Sequence, residues 1–173
     1  MTSELITDRL RLHPVRPEDY ENLCLLHGDE EVMALMHHGV ETPEQTRLTL
    51  DTYLDVWKTH GLGIWIVHSI DDGAFAGECG FRFVNDQDGP GIRFCFLKSH
   101  WGKGLAQEAS RAVIKYAFEE AGFNRVLAVS QLANQSSIGL ISELGYTLID
   151  DRFEGIEDLH LHELISENWH QSS

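Results

Sequence analysis

The apolar run at residues 92–97 leads within a few positions into Trp101-Gly102-Lys103-Gly104. From there a helical pattern continues to about Ala121. This order predicts a buried strand, a glycine loop and a helix. Glycines at such a junction let the backbone approach a ligand closely, and the first turn of a helix carries N–H groups with no partner inside the helix. Phosphate is the usual occupant of such a pocket. A tight turn into a helix, with no ligand, would read the same way.

At 173 residues the chain has room for a single domain, residues 1–173, with a substantial core. Hydrophobic residues make up 42% and charged residues 24%, the proportions of a folded chain. The formal charge of −15 argues against a nucleic-acid backbone as partner. It is compatible with a cationic substrate such as an amine, or with solubility alone. Cys24, Cys79 and Cys95 are odd in number, far apart and without a C-x-x-C pair, which suggests a reducing, cytoplasmic setting. The N-terminus lacks an apolar signal core, and no apolar run is long enough to span a bilayer, so no membrane partner is expected.

Leu10 and Leu12 alternate with charged residues and predict a first strand ending near Pro14. Pro17, Glu18 and Asp19 read as a helical first turn, with Tyr20, Leu23, Cys24 and His27 on one face. A short helical piece follows at residues 30–36, then His37-His38-Gly39 as loop. Thr42, Pro43 and Gln45 form a capping-box start for a helix reaching about Thr59, with Leu50, Tyr53, Leu54 and Trp57 inward. Strands are expected at residues 64–69, 74–84 and 92–97, with a turn at Asp71-Asp72-Gly73 and a loop at residues 85–91, giving an antiparallel meander. Beyond the long helix, Gly122 suits a helix end, and residues 125–130 read as a strand. A short helix at residues 134–144 and strands at residues 146–151 and 159–164 complete the chain. The class is α+β, a mixed sheet with strand–helix–strand units in its second half.

Several chemistries are disfavoured by missing patterns. There is no G-x-x-x-x-G-K-[ST] loop, and Gln107 stands where a dinucleotide fingerprint needs its third glycine. No G-x-S-x-G elbow is present. His37-His38 and His160/His162 have no i,i+4 zinc spacing and no cysteine partner, so the histidines read as scattered surface residues and no metal is expected.

Taken together, the motifs resemble the GCN5-related N-acetyltransferase (GNAT) superfamily, in particular the branch of ribosomal-protein N-terminal alanine acetyltransferases (RimJ/RimL-like). The similarity runs over nearly the whole chain. It rests on Leu5-Ile6-Thr7-Asp8-Arg9-Leu10-Arg11-Leu12 with Arg16-Pro17-Glu18-Asp19, on Gly77-Glu78-Cys79-Gly80-Phe81, and on Trp101 to Ala109. Asn134 with Ser137 as N-x-x-S, Leu144-Gly145-Tyr146, and a final strand ending in Trp169 complete it. The resemblance implies the acyl-CoA acyltransferase fold of that family, a mostly antiparallel central sheet with splayed middle strands flanked by helices.

It also implies an acetyl-CoA site. Ser99, Trp101, Gly102, Lys103, Gly104, Leu105 and Ala106 would hold the pyrophosphate, on backbone N–H groups at the helix start. Related proteins usually carry Arg or Gln at the position of Ser99, so here the backbone donors and Lys103 would do more. Pantetheine would lie between the strands at residues 93–97 and 125–130. A backbone N–H at Phe96 or Leu97 would polarise the thioester carbonyl, while the rings of Phe94 and Phe96 pack in the core. Asn134 would cap its helix and contact the cofactor. Relatives often place a proton-donating Tyr where this chain has Ile141, which leaves Ser137 as the nearby hydroxyl, acting as a relay through water.

For a base, the candidate is Glu78. Strand alternation puts it on a face with Ala76 and Gly80, whose small size suggests room beside it. A structural or solvated Glu is the other reading. The expected activity is direct acetyl transfer from acetyl-CoA to a primary amine, foremost a protein N-terminal α-amino group. A polyamine, amino sugar or amino acid is the alternative. Residues 19–57 should wall the acceptor site. A non-catalytic acyl-CoA-binding module, or an interaction domain with an incidental glycine turn, are the competing classes. The oligomeric state is left open, a homodimer included.

Overall fold

In the computed structural model, residues 3–34, 36, 39–84 and 89–169 are described. The expected loop residues His37 and His38, and residues 85–88 of the loop before the glycine-loop strand, lie outside them. The strands are β1 (Leu5–Ile6), β2 (Leu10–Pro14), β3 (Ile64–Ser69), β4 (Phe75–Phe83), β5 (Pro90–Phe96), β6 (Arg125–Gln131), β7 (Thr147–Asp150) and β8 (Leu159–Ile165). The helices are α1 (Tyr20–His27), α2 (Glu30–Met33), α3 (Pro43–His60), α4 (Leu105–Glu119) and α5 (Gln135–Glu143). Short 3-10 turns join several of them. One sheet contains all of these strands, in the order β1-β2-β3-β4-β5-β6-β8-β7.

Neighbouring strands run antiparallel, as the meander pattern predicts, except at one seam. There β5 and β6 run parallel and pair at Gly91↔Leu127 alone. The chain reaches β6 from β5 through α4, the crossover that a parallel pair requires. Beyond that contact the two strands part.

Each face of the sheet has its own layer. α4 buries Leu105, Ala109, Val113, Ile114 and Ala117, a stripe at helical spacing, on a core that includes Trp65, Val67, Cys79, Phe81, Val126 and Ala128. On the opposite face, Leu23 of α1 and Leu50 and Tyr53 of α3 pack on Ile64 and Ile66. Leu26, Met33 and Cys95 form a smaller cluster beside them. Trp65 is wholly buried, its ring edge-on to Trp57 at 4.7 Å and to Tyr116 at 5.1 Å. Its indole N–H donates to the Ser3 carbonyl at 2.8 Å, so the ring is buried without an unmet donor.

The capping box holds as read. The Thr42 hydroxyl accepts from the Gln45 N–H at 3.2 Å and the Gln45 side chain accepts from the Thr42 N–H at 2.8 Å. One expectation about β4 is corrected. The register against β3 slips between Val67 and His68, a bulge that flips the start of β4. Ala76 therefore joins Cys79 and Phe81 under α4, and Phe75 packs with the α1 and α3 layer, on the Glu78 side. The histidine expectation is also corrected: His13, His27 and His162 are buried.

Candidate active site

The glycine loop has the shape that its composition predicts. Gly102 and Gly104 have φ of 74° and 77°, the left-handed region that disfavours side chains. Gly104 is the N-cap of α4 and no side chain caps the helix, so its first-turn N–H groups remain available to an anion. The N-terminal hairpin braces this loop. Glu108, in the first turn of α4, accepts from the Arg9 N–H at 2.9 Å, the Arg9 Nε at 2.7 Å and the Thr7 hydroxyl at 2.5 Å. Arg9 Nη1 donates to the Lys103 carbonyl at 2.8 Å. Partial burial pushes the Glu108 carboxyl up, but these hydrogen bonds outweigh it and hold it below its ordinary value. The opening Thr7-Asp8-Arg9 motif and the Glu in the glycine-loop run are thus one clamp. Nothing local in either motif reveals the pairing.

From this loop a cavity of about 650 Å³ runs along the opened edge of β5 to the start of α5. Phe96, Trp101, Gly102, Gly104, Leu105, Ala106, Asn134 and Ser137, eight of the expected residues, line it. Leu97, Ser99 and Lys103 are not among its described lining residues. Ser99 and Lys103 are exposed, the Ser99 hydroxyl 3.0 Å from His100 Nδ1, and Leu97 packs near Cys95. Of the two expected backbone donors, Phe96 and Leu97, one N–H is already taken within the sheet. The Leu97 N–H donates to the Ala76 carbonyl at 2.9 Å, so strand alternation turns that of Phe96 toward β6. The Phe96 carbonyl accepts from the Trp101 indole at 2.8 Å, which ties the loop to the strand.

A second cavity, of about 340 Å³, opens on the far side of the seam. It shares Met36, Phe94, Asn134 and Ser137 with the first, and adds Arg82, Arg93, Ser130 and Glu154 among others. Of residues 19–57, expected to wall the acceptor site, only Glu31, Val32 and Met36 reach these linings among the described residues. Asn134 caps α5, accepting from the Ser137 N–H at 3.1 Å. Ile141, at the expected tyrosine position, is buried in the core.

Glu78 is placed elsewhere than its small neighbours suggested. It is fully buried and lines neither cavity. Gly80 marks close backbone packing, since a Cβ there would collide with the Gly63 carbonyl. The space beside Glu78 is filled by His27, whose Nε2 lies 2.5 Å from Oε1, by the Tyr53 hydroxyl at 3.0 Å, and by Arg93 Nε at 3.5 Å. Burial pushes the Glu78 carboxyl up, but the charges of His27 and Arg93 and the hydrogen bonds to it win and bring it down to about 2. His27 Nδ1 faces Glu41 Oε1 at 3.0 Å, so both ring nitrogens meet carboxylates. Burial lowers the imidazole's proton affinity, and those carboxylates raise it further still, above its ordinary value. Sequence reading placed Tyr53 inward and His27 on the helix face it shares with Leu23, yet their convergence on Glu78 depends on three separate elements. Among the described residues, no group of three or more His, Cys, Asp or Glu could hold a metal ion.

A family model described as an acetyltransferase (GNAT) domain matches residues 9–147. The chain is 33% identical over 146 residues to YkkB of Bacillus subtilis strain 168, covering 83% of this chain and 84% of that protein. Among solved structures, ribosomal-protein-S5-alanine acetyltransferase from Vibrio fischeri superposes with a TM-score of 0.78 at 14% identity, covering 96% of this chain and 98% of that one. Spermidine N-acetyltransferase from Vibrio cholerae, in complex with CoA and spermine, gives 0.78 at 14% identity, over 94% and 98%. At such identity these two share the fold.

Proposed function

Because the chain belongs to the GNAT acetyltransferase family, we propose that it moves the acetyl group of acetyl-CoA onto the α-amino group of a protein N-terminus. The observation that carries the reading is the parting of β5 from β6, where the two cavities meet. The larger cavity takes acetyl-CoA, its pyrophosphate on the N–H groups of residues 102–106 and its acyl end at the junction. Asn134 and Trp101 border that path. The Phe96 N–H, turned toward β6, suits the thioester oxygen as charge develops on it. A thioester is already activated, so the amine attacks directly and no covalent enzyme intermediate is needed. Ser137, which lines both cavities, relays a proton through water to the departing thiolate. With a thiol pKa near ~8.5, that thiolate needs little help.

The acceptor arrives through the second cavity. Among the described residues, the junction offers Met36, Phe94, Asn134 and Ser137, with neither carboxylate nor imidazole. Glu78 serves by holding Arg93, which borders the second cavity, and a carboxyl held near 2 is a poor base at neutral pH. An acceptor that must arrive largely as free amine is better matched by an α-amino group, near ~8, than by an alkyl amine near ~10.4. The exposed Glu154 carboxylate at the second cavity favours a second reading, a small polycationic amine. Three free cysteines support a reducing, cytoplasmic setting.

Turnover of acetyl-CoA over a panel of N-terminal peptides, free lysine and polyamines, followed against pH, separates the readings. Peptides are expected to react fastest, with a rate that levels off above about pH 8. Turnover confined to polyamines, or still climbing toward about pH 10, would overturn the α-amine assignment.

A further inference from the structure

β6 is apolar apart from Ser130 where it faces the helices: Val126 and Ala128 join the core beneath α4, and Ser130 continues the same face by strand alternation. Ser130 is 3% exposed, and its hydroxyl has no hydrogen-bond partner among the described residues. Its register partner on β8 is His160, so its backbone belongs to the sheet while its side chain does not. Buried hydroxyls are almost always hydrogen-bonded, and leaving one unmet destabilises a fold. An Ala or Val would suit the packing better. Ser130 lies beyond Leu127, where β6 has left β5, and it lines the second cavity together with Asn134 and Ser137. Ser137 reaches both cavities, whereas Ser130 is among the lining residues of the second alone. Ser137 therefore marks the thioester end, and Ser130 stands on the acceptor side of it.

We infer that Ser130 is a substrate-binding residue whose hydroxyl accepts a hydrogen bond from the attacking amine, aiming the nitrogen lone pair at the thioester carbonyl. The inference rests on the acetyltransferase reading above. In the step it assists, the N–C bond forms and the C–S bond breaks. The proton shed by nitrogen passes to water, and the thiolate of CoA takes one from water. Ser130 ends as the neutral hydroxyl it began as. Its contribution is orientation, which is realised only with an amine in place.

Ser130→Ala and Ser130→Thr test this in the intact protein. The measurements are kcat and KM for the amine, acetyl-CoA affinity by calorimetry, and thermal melting. Ser130→Ala is expected to lower kcat/KM for the amine by about tenfold, the loss of one well-placed hydrogen bond. Acetyl-CoA affinity should be unchanged. Melting should stay level or rise, because an unpartnered buried hydroxyl has gone. Ser130→Thr keeps the hydroxyl on a strand that favours branched residues, and should recover much of the loss. An Ala variant with wild-type kcat/KM would overturn the inference. So would a loss that tracks a lower melting temperature and weaker acetyl-CoA binding, since that is a structural effect. A wild-type protein that turns over no amine at all would overturn the acetyltransferase reading itself, and this one with it.

Discussion

Glu154 occupies a backbone conformation that glycine usually fills. Its φ is 55°, alone among the described non-glycine residues, and Gly155 follows at 76°. The Ile156 N–H returns to the Phe153 carbonyl at 3.0 Å, so Glu154 and Gly155 are the central pair of a turn that needs positive φ at both positions. Phe153 anchors the turn in a buried cluster with Leu127, Leu159 and Leu161, while Glu154 borders the second cavity. Strain of this kind costs about 1–3 kcal/mol and tends to be kept where it serves a site. Glu154→Gly should therefore stabilise the protein by about 1 kcal/mol, after allowing for the added freedom of the unfolded chain. Thermal melting checks this, and a lowered melting temperature would contradict it. The buried chain Glu41–His27–Glu78–Arg93 acts at the same scale. Removing one partner leaves buried charge uncompensated, so His27→Gln should cost about 3–5 kcal/mol. The pH dependence has a definite sign. His27 has a raised folded pKa, so its contribution is whole below about 6.5 and fades as pH rises through the raised value. Glu78 is depressed to about 2, so its contribution is whole above about 4.3 and is lost as pH falls toward that value. The melting gap between wild type and His27→Gln should be widest between about pH 4.5 and 6.5 and narrow above it. A gap that widens from neutral to alkaline pH would show that His27 is buried neutral.

At the scale of elements, what could be read in advance was whatever local pattern determines. Thr42, Pro43 and Gln45 announce the start of α3, and the strand read at residues 64–69 coincides with β3. The glycines at 102 and 104 mark the loop because only a positive φ lets the chain turn there. Most of the expected residues that line the larger cavity were likewise legible, since they come from one contiguous run and the helix N-terminus that follows. The rest depends on long-range pairing. β1 is a two-residue strand with no periodicity to detect, yet it and β2 bring Thr7 and Arg9 onto Glu108. The bulge opposite Val67 and His68 has no signal in strict alternation, and it moved Ala76 away from Glu78. Leu97 was a reasonable donor until the β4 edge claimed its N–H. Ser130 was invisible as a cavity residue because an isolated Ser in an apolar strand resembles any other; only the parting of β5 and β6 gives it a cavity to face.

For the molecule as a whole, the sheet divides into two halves joined at Gly91↔Leu127, and the proposed function is built on that division. β5 supplies the backbone edge, β6 and the start of α5 supply Ser130, Asn134 and Ser137, and α4 supplies a helix start with no side-chain cap. Against a formal charge of −15, the uncapped start of α4 is a local feature that suits an anion, while the charge elsewhere fits a cationic partner or solubility alone. In the proposed function this division binds acetyl-CoA and passes its acetyl group to an amine. Incubation with isotope-labelled acetyl-CoA and an N-terminal peptide, in the presence of a chelator, tests it directly. Mass spectrometry of the peptide and titration of free CoA thiol would be run on wild type and Gly104→Val side by side. Wild type is expected to give one labelled acetyl group on the peptide α-amine and matching thiol release, with both reduced at least about tenfold in a folded Gly104→Val variant by the side chain forced into the loop. Equal acetylation by the two proteins, or thiol release with no acetylated amine, would contradict it.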